Sequence, residues 1–165
     1  MKGIVGILNY ALSKEIEGRN FYKEKSEKVK TKELKEVFTD LGEMEASHVE
    51  FIKNLISNYE KNNSLDIEVP EEDDSIFFKR EKIDTITGKA EDLALDLTVL
   101  KMGYLIEEDF MNFYKNASEK IEDLEAKNVF NMLSKWEKVH RDVLYNLYKQ
   151  LSDEYWDDMG FTPLY

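Results

Sequence analysis

The chain holds two histidines, and each lies three residues after a glutamate, as Glu45-Ala-Ser-His48 and Glu137-Lys-Val-His140. On a helix, positions i and i+3 share a face, so both side chains of each pair can reach one point. A carboxylate and an imidazole converging in this way are candidate metal ligands. One such pair alone is a weak signal, because most instances sit on solvated surfaces. Here the two pairs account for every histidine, and each falls within a row of apolar residues. Glu15 and Glu107 occupy comparable rows on two other segments. Four carboxylates turned toward an apolar core are severely unfavourable unless something pairs with them, since buried charges must be paired or must bind metal. No Lys or Arg takes a matching inward position. Two divalent cations would balance the four carboxylates with both imidazoles neutral, which points to two ions and not one. Mixed carboxylate and imidazole donors without thiolate suit iron or manganese, with zinc also possible.

The elements that must position these residues read at helical period as four helices. The first spans about residues 4–29, with Ile4, Leu8, Ala11, Glu15, Gly18 and Tyr22 along one face. The second, about 32–59, carries Leu34, Phe38, Leu41, Glu45, His48, Ile52, Leu55 and Tyr59. The third, about 90–118, carries Leu93, Leu97, Leu100, Gly103, Glu107, Phe110 and Tyr114. The fourth repeats the second's spacing as Ala126, Phe130, Leu133, Glu137, His140, Leu144, Leu147 and Leu151. Thr31 and Asp123 are expected N-caps for the second and fourth helices, where a side-chain oxygen satisfies a free N–H. Short connections before them imply two helical hairpins, over 4–59 and 90–151. The polar crossover at 60–89, with Pro70, Gly88 and the acidic run Glu71 to Asp74, is long enough to travel the length of a bundle. The run itself reads as solvated loop. A short tail, 152–165, with Tyr155, Trp156, Phe161 and Tyr165, is expected to pack on the bundle or a partner.

The hairpins are copies of each other at an offset of 92 residues, the separation of Glu15 from Glu107. Without a gap, Leu8 maps to Leu100, Phe21-Tyr22-Lys23 to Phe113-Tyr114-Lys115, and Ser26-Glu27-Lys28 to Ser118-Glu119-Lys120. The match runs on through Leu41 and Leu133, Glu45 and Glu137, His48 and His140, and Asn54-Leu55 with Asn146-Leu147. A duplicated hairpin implies a pseudo-two-fold axis. Within each hairpin, the first-helix glutamate and the Glu-x-x-His pair lie equally far from the turn, so all six side chains are expected at mid-bundle. Tyr22 and Tyr114, two turns after Glu15 and Glu107, can hydrogen-bond metal-holding carboxylates across the core. Trp136, beside Glu137, reads as a packing or interface residue.

At 165 residues and 42% hydrophobic composition the chain can bury one core and is expected to form one domain. A formal charge of −12 leaves no basic stripe for nucleic acid. The absence of cysteine excludes disulfides, thiol catalysis and thiolate-held zinc or iron within these residues. No apolar run is long enough for a membrane span, and the N-terminus lacks a cationic start and a cleavage site, so a cytoplasmic location is expected.

One Glu from each of two helices, with Glu-x-x-His from each of two others, is the di-iron carboxylate pattern of ferritin-like bundles. The segments Glu15…Phe21-Tyr22 and Glu107…Phe113-Tyr114 make the chain resemble the rubrerythrin branch of that superfamily, over residues 4–59 and 90–151. The resemblance implies an all-α, ferritin-like four-helix bundle holding two iron ions. Glu45 and Glu137 would bridge them, Glu15 and His48 would complete one ion, and Glu107 and His140 the other. It implies reduction of hydrogen peroxide or dioxygen by electrons from a separate donor protein, with a homodimer or larger homo-oligomer expected. Ferroxidase activity with iron storage is the nearest alternative. Typical rubrerythrins carry a further carboxylate on the third helix, one turn from the common ligand. Here Tyr104 and Phe110 are read as filling the flanking inward positions, which makes the ligand set the symmetric one of bacterioferritins. A metal-free bundle keeping the six residues as a buried polar network is the third reading. Full stability after metal removal and change of both Glu45 and His48 to Ala would mark it.

Overall fold

A computed structural model describes residues 2–70 and 89–160. Among them are four helices and no strand: α1 (Lys2–Ser26), α2 (Lys32–Asn62), α3 (Ala90–Lys120) and α4 (Leu124–Asp158). The protein is an all-α four-helix bundle of two hairpins, α1 with α2 and α3 with α4. No described helix is long and apolar enough to cross a membrane.

Burial follows the apolar rows closely. Every residue in the α1, α2 and α4 rows is buried, and on α3 the departure is Leu97, which is half-buried. Its neighbour Asp96 is buried in its place. Asp96 accepts the backbone N–H of Lys30 at 2.7 Å and of Thr31 at 2.9 Å, at the start of α2. Thr31 stands at the N-cap position but its own side chain makes no capping bond, contrary to expectation. A carboxylate from α3 meets the positive end of α2 and ties the two hairpins together. At the start of α4, Asp123 caps as expected, accepting from the Ala126 N–H at 2.9 Å.

α1 and α3 lie side by side and antiparallel, as Tyr10 on Phe113 and the Lys14–Asp109 ion pair show. The two hairpin turns therefore sit at opposite ends of the bundle. The end of α2 is anchored near the second turn: Asn63 closes the helix at positive φ, and Glu125 of α4 accepts from Ser64 Oγ and Leu65 N–H. The start of α3 lies near the first turn, where Asp96 meets Lys30. The end of α2 and the start of α3 therefore lie about the length of a 31-residue helix apart, roughly 46 Å at 1.5 Å per residue. The acidic run Glu71 to Asp74 and Gly88 lie outside the described residues.

α4 runs past Leu151 to Asp158, so the start of the expected tail is helical. Tyr155 packs against the apolar cluster at that end of the bundle and stacks edge-on with Trp156. Phe161 and Tyr165 lie outside the described residues. The core is two apolar clusters. One surrounds Tyr22, Phe38, Leu100 and Leu144, and the other surrounds Leu8, Ile52, Tyr114 and Phe130. Between them lies a fully buried polar layer.

Candidate metal centre

That layer is Glu15, Glu45, His48, Glu107, Glu137 and His140, each at most 1% exposed. α1 and α3 contribute one glutamate each, and α2 and α4 one Glu-x-x-His each. Their donor atoms form two groups, Glu15-Glu45-His48-Glu137 and Glu45-Glu107-Glu137-His140, each with atoms within 4.8 Å of one another. Either group could hold a metal ion, and the two share Glu45 and Glu137. His48 Nδ1 stands 3.3 Å from both Glu15 Oε2 and Glu137 Oε1, and 3.7 Å from Glu45 Oε2. His140 Nδ1 stands 3.2 Å from Glu45 Oε1, 3.5 Å from Glu137 Oε2 and 3.7 Å from Glu107 Oε2. Separations of this size suit donors that each lie about 2.0–2.2 Å from a common ion.

The buried carboxylate oxygens gather at the same location. Both oxygens of Glu45, both of Glu137 and Oε2 of Glu107 are buried, each 3.2–3.7 Å from a histidine Nδ1. No Lys or Arg is buried among the described residues. Four carboxylates facing two imidazoles in a core are costly, and a cation is the further partner this donor set fits.

Without an ion, protons must settle the charge. Burial pushes Glu45 well up, and the charges of Glu137, Glu107 and Glu15 add to this against His48. Burial likewise raises Glu107 to about 7, opposed by its hydrogen bond with His140. Burial alone would raise Glu137 too, but His48 and His140 outweigh it and hold that carboxyl far below its usual range. For both histidines burial acts downward and is overcome. Glu137 and Glu45 raise His48, and hydrogen bonds with Glu107, Glu137 and Glu45 raise His140. The metal-free site is thus a proton-sharing network centred on Glu137.

Tyr22 donates its hydroxyl to Glu107 Oε1, and Tyr114 donates to Glu15 Oε1. Each hydroxyl crosses from its own hairpin to the other, as the repeat requires. Burial, then the carboxylate charges of Glu107 and Glu15 respectively, push both phenols well above their usual range, so they stay protonated and donate. The repeat is also visible in smaller bonds, with Ser26 Oγ to Lys23 O and Ser118 Oγ to Lys115 O.

The symmetry breaks at Gly18 and its repeat-related residue, Phe110. These two meet: a Cβ on Gly18 would lie 2.9 Å from Phe110 Cε2 and 3.3 Å from Glu45 Oε2. The missing side chain lets the buried Phe110 ring close the α1–α3 side of the site. Lys14 lies over that ring, its Nζ 4.9 Å from the centroid. Tyr104 is not inward as expected. It is half-buried and packs on Tyr145 and Tyr148, and the inward position one turn before Glu107 is Gly103. The reason is angular, since at 3.6 residues per turn a step of four stays nearer the inward direction than the step of three to Tyr104.

One contact escaped sequence reasoning. Trp136 stacks on His48, with ring centroids 5.0 Å apart and planes 19° apart. Adjacency to Glu137 was its one sequence signal, and no spacing rule links position 136 on α4 to position 48 on α2.

The rubrerythrin family model matches residues 6–148. The chain belongs to the rubrerythrin family. Among solved structures, a hypothetical protein from Pyrococcus furiosus is similar in fold, with a TM-score of 0.65 and 24% sequence identity. That similarity covers 91% of this chain and 90% of the other. No curated protein matches this rubrerythrin-family chain.

Proposed function

We propose that the chain is a two-iron carboxylate protein that reduces hydrogen peroxide. The observation that carries this reading is the pair of buried donor groups sharing Glu45 and Glu137. Those two glutamates would bridge the ions, Glu15 and His48 would complete one position, and Glu107 and His140 the other. Carboxylate and imidazole donors without thiolate suit iron, and manganese or zinc fit the same set. When bound, the iron pair supplies two electrons that, with two protons, convert one hydrogen peroxide to two waters. The surrounding residues hold the site for that chemistry. Tyr22 and Tyr114 keep their protons on Oη and orient Glu107 and Glu15. Phe110 and the two apolar clusters limit bulk water, which strengthens every electrostatic interaction inside. These 165 residues include no cysteine to hold a thiolate iron centre, so in this reading the electrons come from outside them.

Phe110 supports a second reading. With an aromatic ring on the inward face of α3 one turn after Glu107, the donor set is symmetric, which favours oxidation of ferrous iron as a substrate for storage. Metal analysis of anaerobically purified protein, followed by stopped-flow mixing of the ferrous form with peroxide and with dioxygen, separates the readings. Much faster oxidation by peroxide is expected. Faster oxidation by dioxygen with iron accumulating in a large assembly would favour storage. Less than one transition metal per chain after reconstitution would overturn both.

A further inference from the structure

The duplicated hairpins give both candidate ion positions matching donors, yet beyond the Gly18–Phe110 difference their surroundings differ again at His48. His48 is stacked on Trp136 at 5.0 Å and 19°, and on His140 at 5.3 Å and 8°. The tryptophan is itself braced by Phe51, whose ring centroid lies 5.5 Å away. Trp136 is partly buried and packs with the cluster around Tyr114 and Phe130. At the offset of the repeat its counterpart is Met44, which packs with the cluster around Phe38 and Leu144. Methionine has no flat face and turns about three side-chain bonds.

An imidazole stacked against two rings has little freedom to rotate about its side-chain bonds. Its Nδ1 is therefore aimed at Glu15, Glu137 and Glu45 before any ion arrives. Ordering that is already present in the free protein does not oppose binding, so affinity rises. Residues that orient a metal-holding histidine typically change affinity 10–100-fold when altered.

We infer that Trp136 is a positioning residue for His48 and makes the His48 position the tighter, first-filled of two metal positions with matching donors. This rests on the two-metal reading of the site. Its consequence is a built-in order of loading in a duplicated centre, set by one aromatic side chain outside the donor set.

The test uses the full, metal-free chain and cobalt(II) alone as the probe. The chain's two tryptophans make Trp156→Phe a background in which Trp136 is the sole indole. Calorimetry on that background should show two binding steps, with most of the quenching of Trp136 emission in the first. Glu15→Ala should remove the tight step, and Glu107→Ala the weak one. Trp136→Leu should weaken the first step about ten-fold and leave the second unchanged. Trp136→Phe, which keeps an aromatic face, should retain most of the separation. Two steps unaffected by Trp136→Leu, both weakened equally, or a tight step lost with Glu107→Ala would overturn the inference while leaving the two-metal site standing. Failure of the parent chain to bind cobalt would instead overturn the site and the inference together.

Discussion

At the scale of single residues, two phenolic protons hold two of the six candidate donors in place. Tyr22 and Tyr114 each hold one oxygen of a carboxylate from the opposite hairpin. Replacing either by Phe leaves a buried carboxylate oxygen without its donor, at a cost of about 1–3 kcal/mol in the metal-free protein. Metal affinity should also fall about 10-fold or more, because the carboxylate loses its orientation. Chemical denaturation and metal titration of Tyr22→Phe and Tyr114→Phe check this. Tyr22→Phe should act on the position completed by Glu107, and Tyr114→Phe on the one completed by Glu15. Equal stability and affinity in both variants would refute the assignment.

At the scale of elements, two contacts decide how the helices meet. Asp96 binds the backbone of Lys30 and Thr31, so it joins α3 to the start of α2. Asp96→Ala should destabilise the protein by about 1–3 kcal/mol, since two N–H groups lose a buried acceptor. Thr31→Ala should cost less, because its side chain makes no capping bond. Urea midpoints of the two variants give the comparison, and a larger loss in Thr31→Ala would contradict the observed geometry. The second contact is Gly18 beneath Phe110. A methyl at Gly18 meets the ring edge at 2.9 Å, so Gly18→Ala should cost about 1–3 kcal/mol by overpacking. Adding Phe110→Leu should recover part of that loss, giving a non-additive double mutant. Simple additivity of the two changes would show that they do not touch.

At the scale of the whole molecule, protons and metal compete for one buried layer. In the metal-free protein Glu45, Glu107, His48 and His140 all titrate above their unfolded values. A group raised in this way stabilises the fold below its unfolded pKa and ceases to do so as pH climbs through its folded pKa. For Glu107 that window runs from its ordinary 4.5 to about 7, and the histidines extend it upward from 6.5. Glu137 is shifted the other way, so its contribution is lost only as pH falls below 4.5. The chelator-treated protein should therefore melt at a lower temperature at pH 8 than at pH 5. Bound metal replaces those protons, so the gain in melting temperature on loading should be larger at pH 8. Calorimetric melts with and without metal test both signs, and a metal-free protein that grows more stable from pH 5 to pH 8 would refute the network.

The two Glu-x-x-His pairs, the glutamates at 15 and 107 and the tyrosines that follow them could be found without coordinates. Helical period and a gapless repeat are local, one-dimensional properties, and they place side chains on a face and at a level along a helix. The hairpins, the apolar rows and the Asp123 cap were legible for the same reason. Asp96 taking over from Thr31 and Trp136 lying on His48 were not. Each depends on how far one helix is rotated against another, where a few tens of degrees choose between adjacent residues. Repetition along the chain determined that two matching sets of candidate donors exist, whereas packing between helices decided which neighbours each set meets.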